Sequence, residues 1–260
     1  MNIIVCIKQV PDTTEVKIDP VTGTLIREGV PSIMNPDDKN ALEEALALKD
    51  NHGANVTVIT MGPPQAEAIL REALAMGADD AILVSDRAFA GADTLATSHA
   101  LAATIRKIGE YDVVFAGRQA IDGDTAQVGP EIAEHLGLPQ ITYVEKVDVV
   151  DGGLKVRRAW EDGYEVLNVK TPVLLTAIKE LNEPRYMNIG NIFGLFEREI
   201  KVWNVDDINA DREKMGLKGS PTKVKKSMTK EAKGAGEIYH GTPKELAEIA
   251  VGKMKSKHFI

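Results

Sequence analysis

With 260 residues and 43% hydrophobic content, the chain can bury a sizeable core, as one large domain plus an extension or as two small domains. A formal charge of −8 argues against general nucleic-acid binding, and a single cysteine, Cys6, rules out internal disulfide frameworks and cysteine-based metal sites. No apolar run approaches the roughly 18 residues that argue a membrane span, so no membrane partner is expected.

Asn2 to Ile7 is an apolar, β-rich run without alternation, which predicts a strand covered on both faces in a parallel sheet. Met1 to Ile7 is too short and too uncharged for a signal peptide, so a cytoplasmic location is expected. Lys8 to Met34 reads as a long polar insertion, with a turn signal at Asp19-Pro20-Val21-Thr22-Gly23. Asn35-Pro36-Asp37-Asp38 then opens a helix: Asn35 as N-cap, Pro36 at the first helical position and two acids in the positive first turn. Leu42, Ala45 and Leu46 fall on its core face.

Asn55 to Met61 predicts the second strand, and Pro63 or Pro64 starts a helix that Gly77 closes as a left-handed cap. Asp80 to Val84 is the third strand. Asp93 caps a helix to about Ile108, and Val113 to Phe115 is the fourth strand. Strands and helices alternating in this way predict an α/β fold with a doubly wound parallel sheet. Ligands of such sheets bind beyond the carboxyl ends of the strands, where strand order reverses. If the first and fourth strands are neighbours there, Cys6, Ile7 and Lys8 lie beside the stretch that follows the fourth strand.

That stretch, Ala116 to Pro130, is the centre of the functional reading. Small and polar residues stand where a buried strand hands over to the helix of Glu131 to Leu136. Gly123 and Gly129 offer backbone freedom and close approach, and the first amides of a helix lack intrahelical acceptors, so they can face a phosphate. Asp124 with Gln127 three residues on also fits a capping box, which needs no ligand. The helix could begin at Thr125, leaving Pro130 inside it as a kink, or at Gly129, leaving the preceding residues as a cradle. Neither the Walker spacing nor Gly-x-Gly-x-x-Gly is present.

From Gln140 the pattern changes. Ile141 to Val150, Leu154 to Trp160, Tyr164 to Val169 and Val173 to Ala177 read as strands joined by Asp-Gly turns, a small antiparallel element that extends the sheet. Leu181 to Gly241 shows only short regular pieces. A segment of that length is either disordered or ordered by another chain, and Ile189, Ile192, Phe193, Leu195, Phe196, Trp203 and Ile208 favour the second. Arg212 to Gly234 holds eight Lys or Arg against two Glu, as a solvated tail or as an arm held against an acidic partner surface. Thr242-Pro243-Lys244-Glu245 is a capping box that starts a final amphipathic helix. The five histidines, at 52, 99, 135, 240 and 258, never approach metal-ligand spacing and read as surface or cap residues.

Val156-Arg157-Arg158-Ala159-Trp160-Glu161-Asp162-Gly163-Tyr164-Glu165-Val166-Leu167, followed by Thr171-Pro172-Val173-Leu174-Leu175-Thr176, resembles the signature segment of electron transfer flavoprotein β subunits. Met34-Asn35-Pro36, Ala73 to Asp79, Gln119-Ala120-Ile121-Asp122 and Leu181-Asn182-Glu183-Pro184-Arg185-Tyr186 are similar to that family in the same order, so the resemblance spans essentially the whole chain. It implies a nucleotide-binding domain of adenine-nucleotide α-hydrolase type over residues 1–180, with the antiparallel extension at 140–178. Residues 181–260 would then be a recognition loop and a C-terminal arm around an electron transfer flavoprotein α subunit. No Ser-Gly-Gly loop follows the first strand, which argues against an ATP-pyrophosphatase of the same superfamily.

The resemblance implies nucleotide contacts at Cys6, Asn35, Asp38, Met61, Gly117, Arg118, Gln119, Ala120, Asp122, Gly123, Asp124, Thr125, Ala126, Gln127 and Val128. The phosphates would be held mainly by backbone amides, with Asp122 and Asp124 orienting the loop or capping the helix. The loop is similar to the bifurcating members, in which FAD takes the place of the AMP held by ordinary members. Small residues at Gly123 and Ala126 leave space for a pyrophosphate. The implied partners are NADH as donor, ferredoxin or flavodoxin as one-electron acceptor, and an acyl-CoA dehydrogenase. Ile189 aligns with the apolar anchor of the recognition loop, with Asn191, Ile192 and Phe193 beside it; the alternative is a core residue of the arm. Gly194-Leu195-Phe196-Glu197 replaces a Lys-rich run found in many mitochondrial members. No side chain is expected to act as catalytic acid or base, and no metal site is expected.

Overall fold

The computed structural model describes residues 1–12, 31–225, 234 and 236–260. Those up to Lys225 form one compact unit, and the rest belong to a second. The turn expected at Asp19 to Gly23 lies outside the described residues.

The first unit begins with β1 (Asn2–Cys6), followed by β2 (Gln9–Pro11) and β3 (Ser32–Met34), which pair antiparallel. Then come α1 (Pro36–His52), β4 (Asn55–Met61), α2 (Glu67–Met76), β5 (Asp80–Val84), α3 (Thr94–Ile108), β6 (Val113–Gly117) and α4 (Val128–Leu136). The later elements are β7 (Gln140–Val150), β8 (Gly153–Trp160), β9 (Gly163–Val169), β10 (Val173–Ala177), α5 (Ile189–Phe193), β11 (Lys201–Trp203) and α6 (Gly216–Gly219). Nine of these strands make one sheet in the order β11-β5-β4-β1-β6-β10-β7-β8-β9.

The non-alternating apolar run of β1 is explained by cover on both faces. Ile3 and Val5 enter one core with Leu42, Leu46, Ile69 and Leu70 of α1 and α2. Ile4 and Cys6 enter the other with Ile105 of α3 and Ile132 of α4. A strand packed between two helical layers needs an apolar side chain at every position. β1 pairs with β4 on one side and with β6 on the other, Ile3 to Val113 and Val5 to Phe115. Strand order therefore reverses between β1 and β6, as a binding site at that point requires.

Three expectations need correction. β10 is not part of the antiparallel extension: it runs parallel to both β6 and β7 and fills the place between them. Its five residues are all buried, and an unbroken apolar run fits a central strand better than an edge. Only β7, β8 and β9 form the antiparallel element. The helix after Pro63 starts as a single 3₁₀ turn at Pro64–Ala66 before α2 proper, and Gly77 ends α2 at φ 132°, outside the left-handed helical region. Finally, much of the irregular segment is ordered by its own chain. β11 pairs with β5, and Leu195, Val205, Ile208 and Met215 are buried in the two cores. Within the basic run, Arg212 and Lys218 pair with Asp206 and Glu213.

His135 lies in the last turn of α4 and stacks on His99 of α3, ring centroids 3.9 Å apart. Burial and neighbouring cations hold both imidazoles below the ordinary histidine range. The second unit contains α7 (Pro243–Ser256), opened by the expected Thr242–Glu245 capping box. Among the described residues no helix is long and apolar enough to cross a membrane, and no three His, Cys, Asp or Glu cluster to hold a metal.

Candidate functional site

The site forms at the carboxyl ends of β1, β4 and β6, where Cys6, Met61 and Gly117 are the last residues of their strands. Into this place comes the N-terminus of α1. Asp38, in the first turn, is buried, and its two carboxylate oxygens accept from the Lys8 amide at 2.8 Å and the Gly117 amide at 2.9 Å. One side chain thus clips the ends of β1 and β6 together. Burial pushes its carboxyl up to about 7, against the lowering effect of the Asn35 side chain and of the two amides. Burial, with the nearby Asp38 charge, likewise pushes the Cys6 thiol up, so this cysteine is a packed, protonated thiol rather than a nucleophile.

Asn35 occupies the N-cap position of α1, but its side chain does not cap the helix. Nδ2 donates to the Gln119 carbonyl at 2.8 Å, and Oδ1 accepts from the Ile121 amide at 3.0 Å. The amide group reads both directions of the loop backbone, which is a stronger constraint on the loop than on the helix. Arg118 approaches Asp37, Nε to Oδ2 3.4 Å, close enough for attraction though not aligned for a hydrogen bond. Its backbone amide donates to Ala177 at the end of β10.

Gly117 is required by close approach. A Cβ there would stand 2.7 Å from the Asp38 amide nitrogen and 2.8 Å from the Asp37 carbonyl carbon. Gly129 is required for packing, because a Cβ would meet Thr176 Cγ2 at 2.7 Å. Gly123 needs neither explanation: it faces open space. The turn is made instead by Asp124 at φ 49° and Ala126 at φ 53°, two non-glycine residues in the left-handed region. This corrects the expectation that the glycines bend the loop.

Asp122 and Asp124 both orient the loop. Asp122 pairs with Lys8 at 2.7 Å, and Asp124 accepts from Gln119 Nε2 at 2.8 Å. The Asp124–Gln127 capping box does not form, since α4 begins at Val128 with Gln127 at the N-cap and no side-chain cap. Pro130 therefore sits in the first turn, where its missing amide costs nothing, and causes no kink. Among the described residues, the amides of Thr125, Ala126 and Gln127 find no acceptor, and these residues are wholly or partly exposed. Open amides ahead of an uncapped helix N-terminus suit an anionic group, so the residues present fit the phosphate of a nucleotide.

All fifteen residues expected at the nucleotide site lie on this rim: Cys6, Asn35, Asp38 and Met61 on its wall, and Gly117, Arg118, Gln119, Ala120, Asp122, Gly123, Asp124, Thr125, Ala126, Gln127 and Val128 along its loop. Thr94, at the start of α3, was not expected. Its Oγ1 lies 3.3 Å from Gln127 Oε1 and 3.1 Å from Glu131 Oε1 and ties the end of the loop to the neighbouring helix. Only topology could have revealed it.

Ile189, Asn191, Ile192 and Phe193 stand apart from the nucleotide site, on α5. Ile189 is 72% exposed and Phe193 85% exposed, so neither is a core residue of this chain. Asn191, also exposed, donates from Nδ2 to the Ala75 carbonyl at 3.2 Å.

The electron transfer flavoprotein domain matches residues 22–208. The electron transfer flavoprotein subunit beta of Clostridium acetobutylicum is 72% identical over the full length of both chains. The caffeyl-CoA reductase-Etf complex subunit CarD of Acetobacterium woodii is 59% identical, and the acryloyl-CoA reductase electron transfer subunit gamma of Anaerotignum propionicum 47% identical, again over the full length of each.

Proposed function

The chain belongs to the electron transfer flavoprotein family as a β subunit, and on that premise we propose that its site holds FAD rather than AMP. With the α subunit, it would pass electrons from NADH to ferredoxin or flavodoxin and to an acyl-CoA dehydrogenase. Residues 1–180 serve as the nucleotide-binding domain, and 181–260 as the recognition loop and the arm that wraps the α subunit. The working location is the cytoplasm.

The observation that carries the FAD reading is the open run from Gly123 to Gln127. Among the described residues no side chain caps α4 and three successive amides lack acceptors, and Gly123 faces unfilled space. A monophosphate needs less room than this run provides, whereas a pyrophosphate uses it. Lys8 and Arg118 bring positive charge to the rim, each already balanced by one acid, Asp122 or Asp37. Asn35 and Asp38 hold the rim in shape and leave the backbone to do the binding. The electron transfer itself is the chemistry of the flavin, and the chain fixes its position and surroundings. The names of relatives that serve caffeyl-CoA and acryloyl-CoA reductases support an acyl-CoA-linked role.

The deciding measurement is a cofactor inventory of the purified αβ complex. Close to two FAD per heterodimer is the expected result. One FAD with one AMP would replace this reading by that of an ordinary electron carrier with a structural nucleotide.

A further inference from the structure

The segment that carries the exposed apolar residues Tyr186, Ile189 and Phe193 is held by fixed polar contacts to two helices. On α1, Arg185 donates from Nε and Nη2 to the Glu43 carboxylate at 2.9 to 3.1 Å, from Nη1 to Asp50 at 2.8 Å, and from its own backbone amide to Glu43 at 2.9 Å. One turn earlier, Asn40 Nδ2 donates to the Asn182 carbonyl at 2.8 Å, and Asn182 Nδ2 returns a bond to the Asn40 carbonyl at 3.1 Å. At the end of α2, the Asn188 amide and the Asn191 side chain both donate to the Ala75 carbonyl. Arg198 closes the far end on the Ala78 and Asp79 carbonyls. Lys39 of α1 pairs with Glu72 of α2, and Lys49 of α1 with Asp79 in the turn after α2, each at 2.6 Å.

We propose that Arg185 is a positioning residue for partner docking: gripped by Glu43 and Asp50 of α1, it sets the stance of the exposed segment 186–193. Three side-chain nitrogens of a planar guanidinium engage two acids, and the adjacent backbone amide engages Glu43 again. That arrangement fixes both the position and the direction of the chain as it leaves α1. Immediately after it, Tyr186 is 96% exposed. A docking segment whose base is fixed loses less conformational entropy on binding than a free loop. The same helix α1 supplies Asn35 and Asp38 to the nucleotide site at its other end, so one rigid element gives both sites a common frame.

The proposal rests on the reading that 186–193 meets an acyl-CoA dehydrogenase. It is tested in the intact αβ complex by electron transfer to a purified acyl-CoA dehydrogenase that accepts electrons from the wild type. Arg185→Gln is expected to raise KM for the dehydrogenase about tenfold, with kcat changed by less than about twofold. Arg185→Lys should fall between this and the wild type, since an ammonium can hold Glu43 but cannot span both acids. Asp50→Asn, on an exposed partner, should give a smaller rise and keeps the test open should Arg185→Gln fail to fold. Nucleotide content should not change, while amide hydrogen exchange of 186–193 should quicken. Unchanged KM in all three variants, or a rise only in step with lost nucleotide, overturns the role of Arg185. If the wild-type complex delivers electrons to none of the acyl-CoA dehydrogenases offered, the wider reading fails and takes this one with it. AMP in place of FAD would leave the docking test intact.

Discussion

The two halves of α1 do related jobs by different physics. Its first turn works inside the protein: Asp38 is buried, its two oxygens are spent on strand-end amides, and burial raises its carboxyl to about 7. Its later turns work nearer the surface, where buried Glu43 and exposed Asp50 hold a half-buried Arg185. A buried polar contact is unforgiving because an unmet partner keeps its full desolvation cost. The Arg185–Asp50 pair, open to water on the Asp50 side, is screened, and its value lies mainly in geometry. The rim of the proposed nucleotide site should therefore respond to mutation through stability and ligand retention, and the exposed residues of the docking segment through partner kinetics.

The largest effect is expected from Gly117→Ala. The new Cβ would press on Asp38 and on the Asp37 carbonyl carbon at 2.8 Å, backbone that cannot swing aside. A loss of about 3 kcal/mol in denaturant unfolding, with loss of bound nucleotide, is the expected outcome. Wild-type stability would break the contrast, because the rim would then be as tolerant as the surface.

Asp38→Asn sharpens it through pH. The carboxyl is raised from 3.8 to about 7 on folding, so between those values the native state holds a proton that the unfolded state has released. The stability contributed by this group is complete below 3.8 and is lost as pH rises to about 7, with no further change above. Removing the carboxyl should flatten that part of the stability curve. An unchanged slope would show that Asp38 does not titrate there.

Ile189→Ala addresses the other end. The side chain is exposed, so stability should move by no more than about 0.5 kcal/mol, while KM for the dehydrogenase rises about tenfold. A change in flavin content would contradict the separation of the two regions. The smallest effect is expected from Ala126→Gly. At φ 53° alanine is strained where glycine is not, and relief should stabilise the protein by up to about 1 kcal/mol in thermal melts. If the melting point falls instead, loop rigidity outweighs the strain.

Local signals located most elements well. The core positions of α1 and α2, the Asp93 cap, the Thr242–Glu245 box and the strand limits after Gln140 follow from side-chain chemistry within a few residues of each feature. The errors share a cause. Asn35 and Asp124 look like caps because their neighbours in sequence are helices, yet their side chains are taken by the loop at Gln119 and Ile121 and by the Gln119 amide group. Val173 to Ala177 looks like the last strand of a meander because it follows one, yet it inserts beside β6. For Asn35 and for Val173 to Ala177 the winning partner is distant in sequence, whereas Asp124 is taken by Gln119 within the same loop.

By itself, the sequence determined the fold class, the loop between the fourth strand and its helix and, through the order of its motifs, the family. Apolar periodicity and turn chemistry are local properties, and motif order needs no coordinates. Tertiary structure alone decided that β1 and β6 are neighbours, that Asp38 clips their ends, that α4 begins at Val128 without a cap, and that Arg185 bridges Glu43 and Asp50. Those facts depend on which side chains meet across more than 70 positions of chain, as in the 79 between Asp38 and Gly117 or the 142 between Glu43 and Arg185. Spacing along the chain carries no record of such meetings; only the packing of α1 against the sheet brings them about.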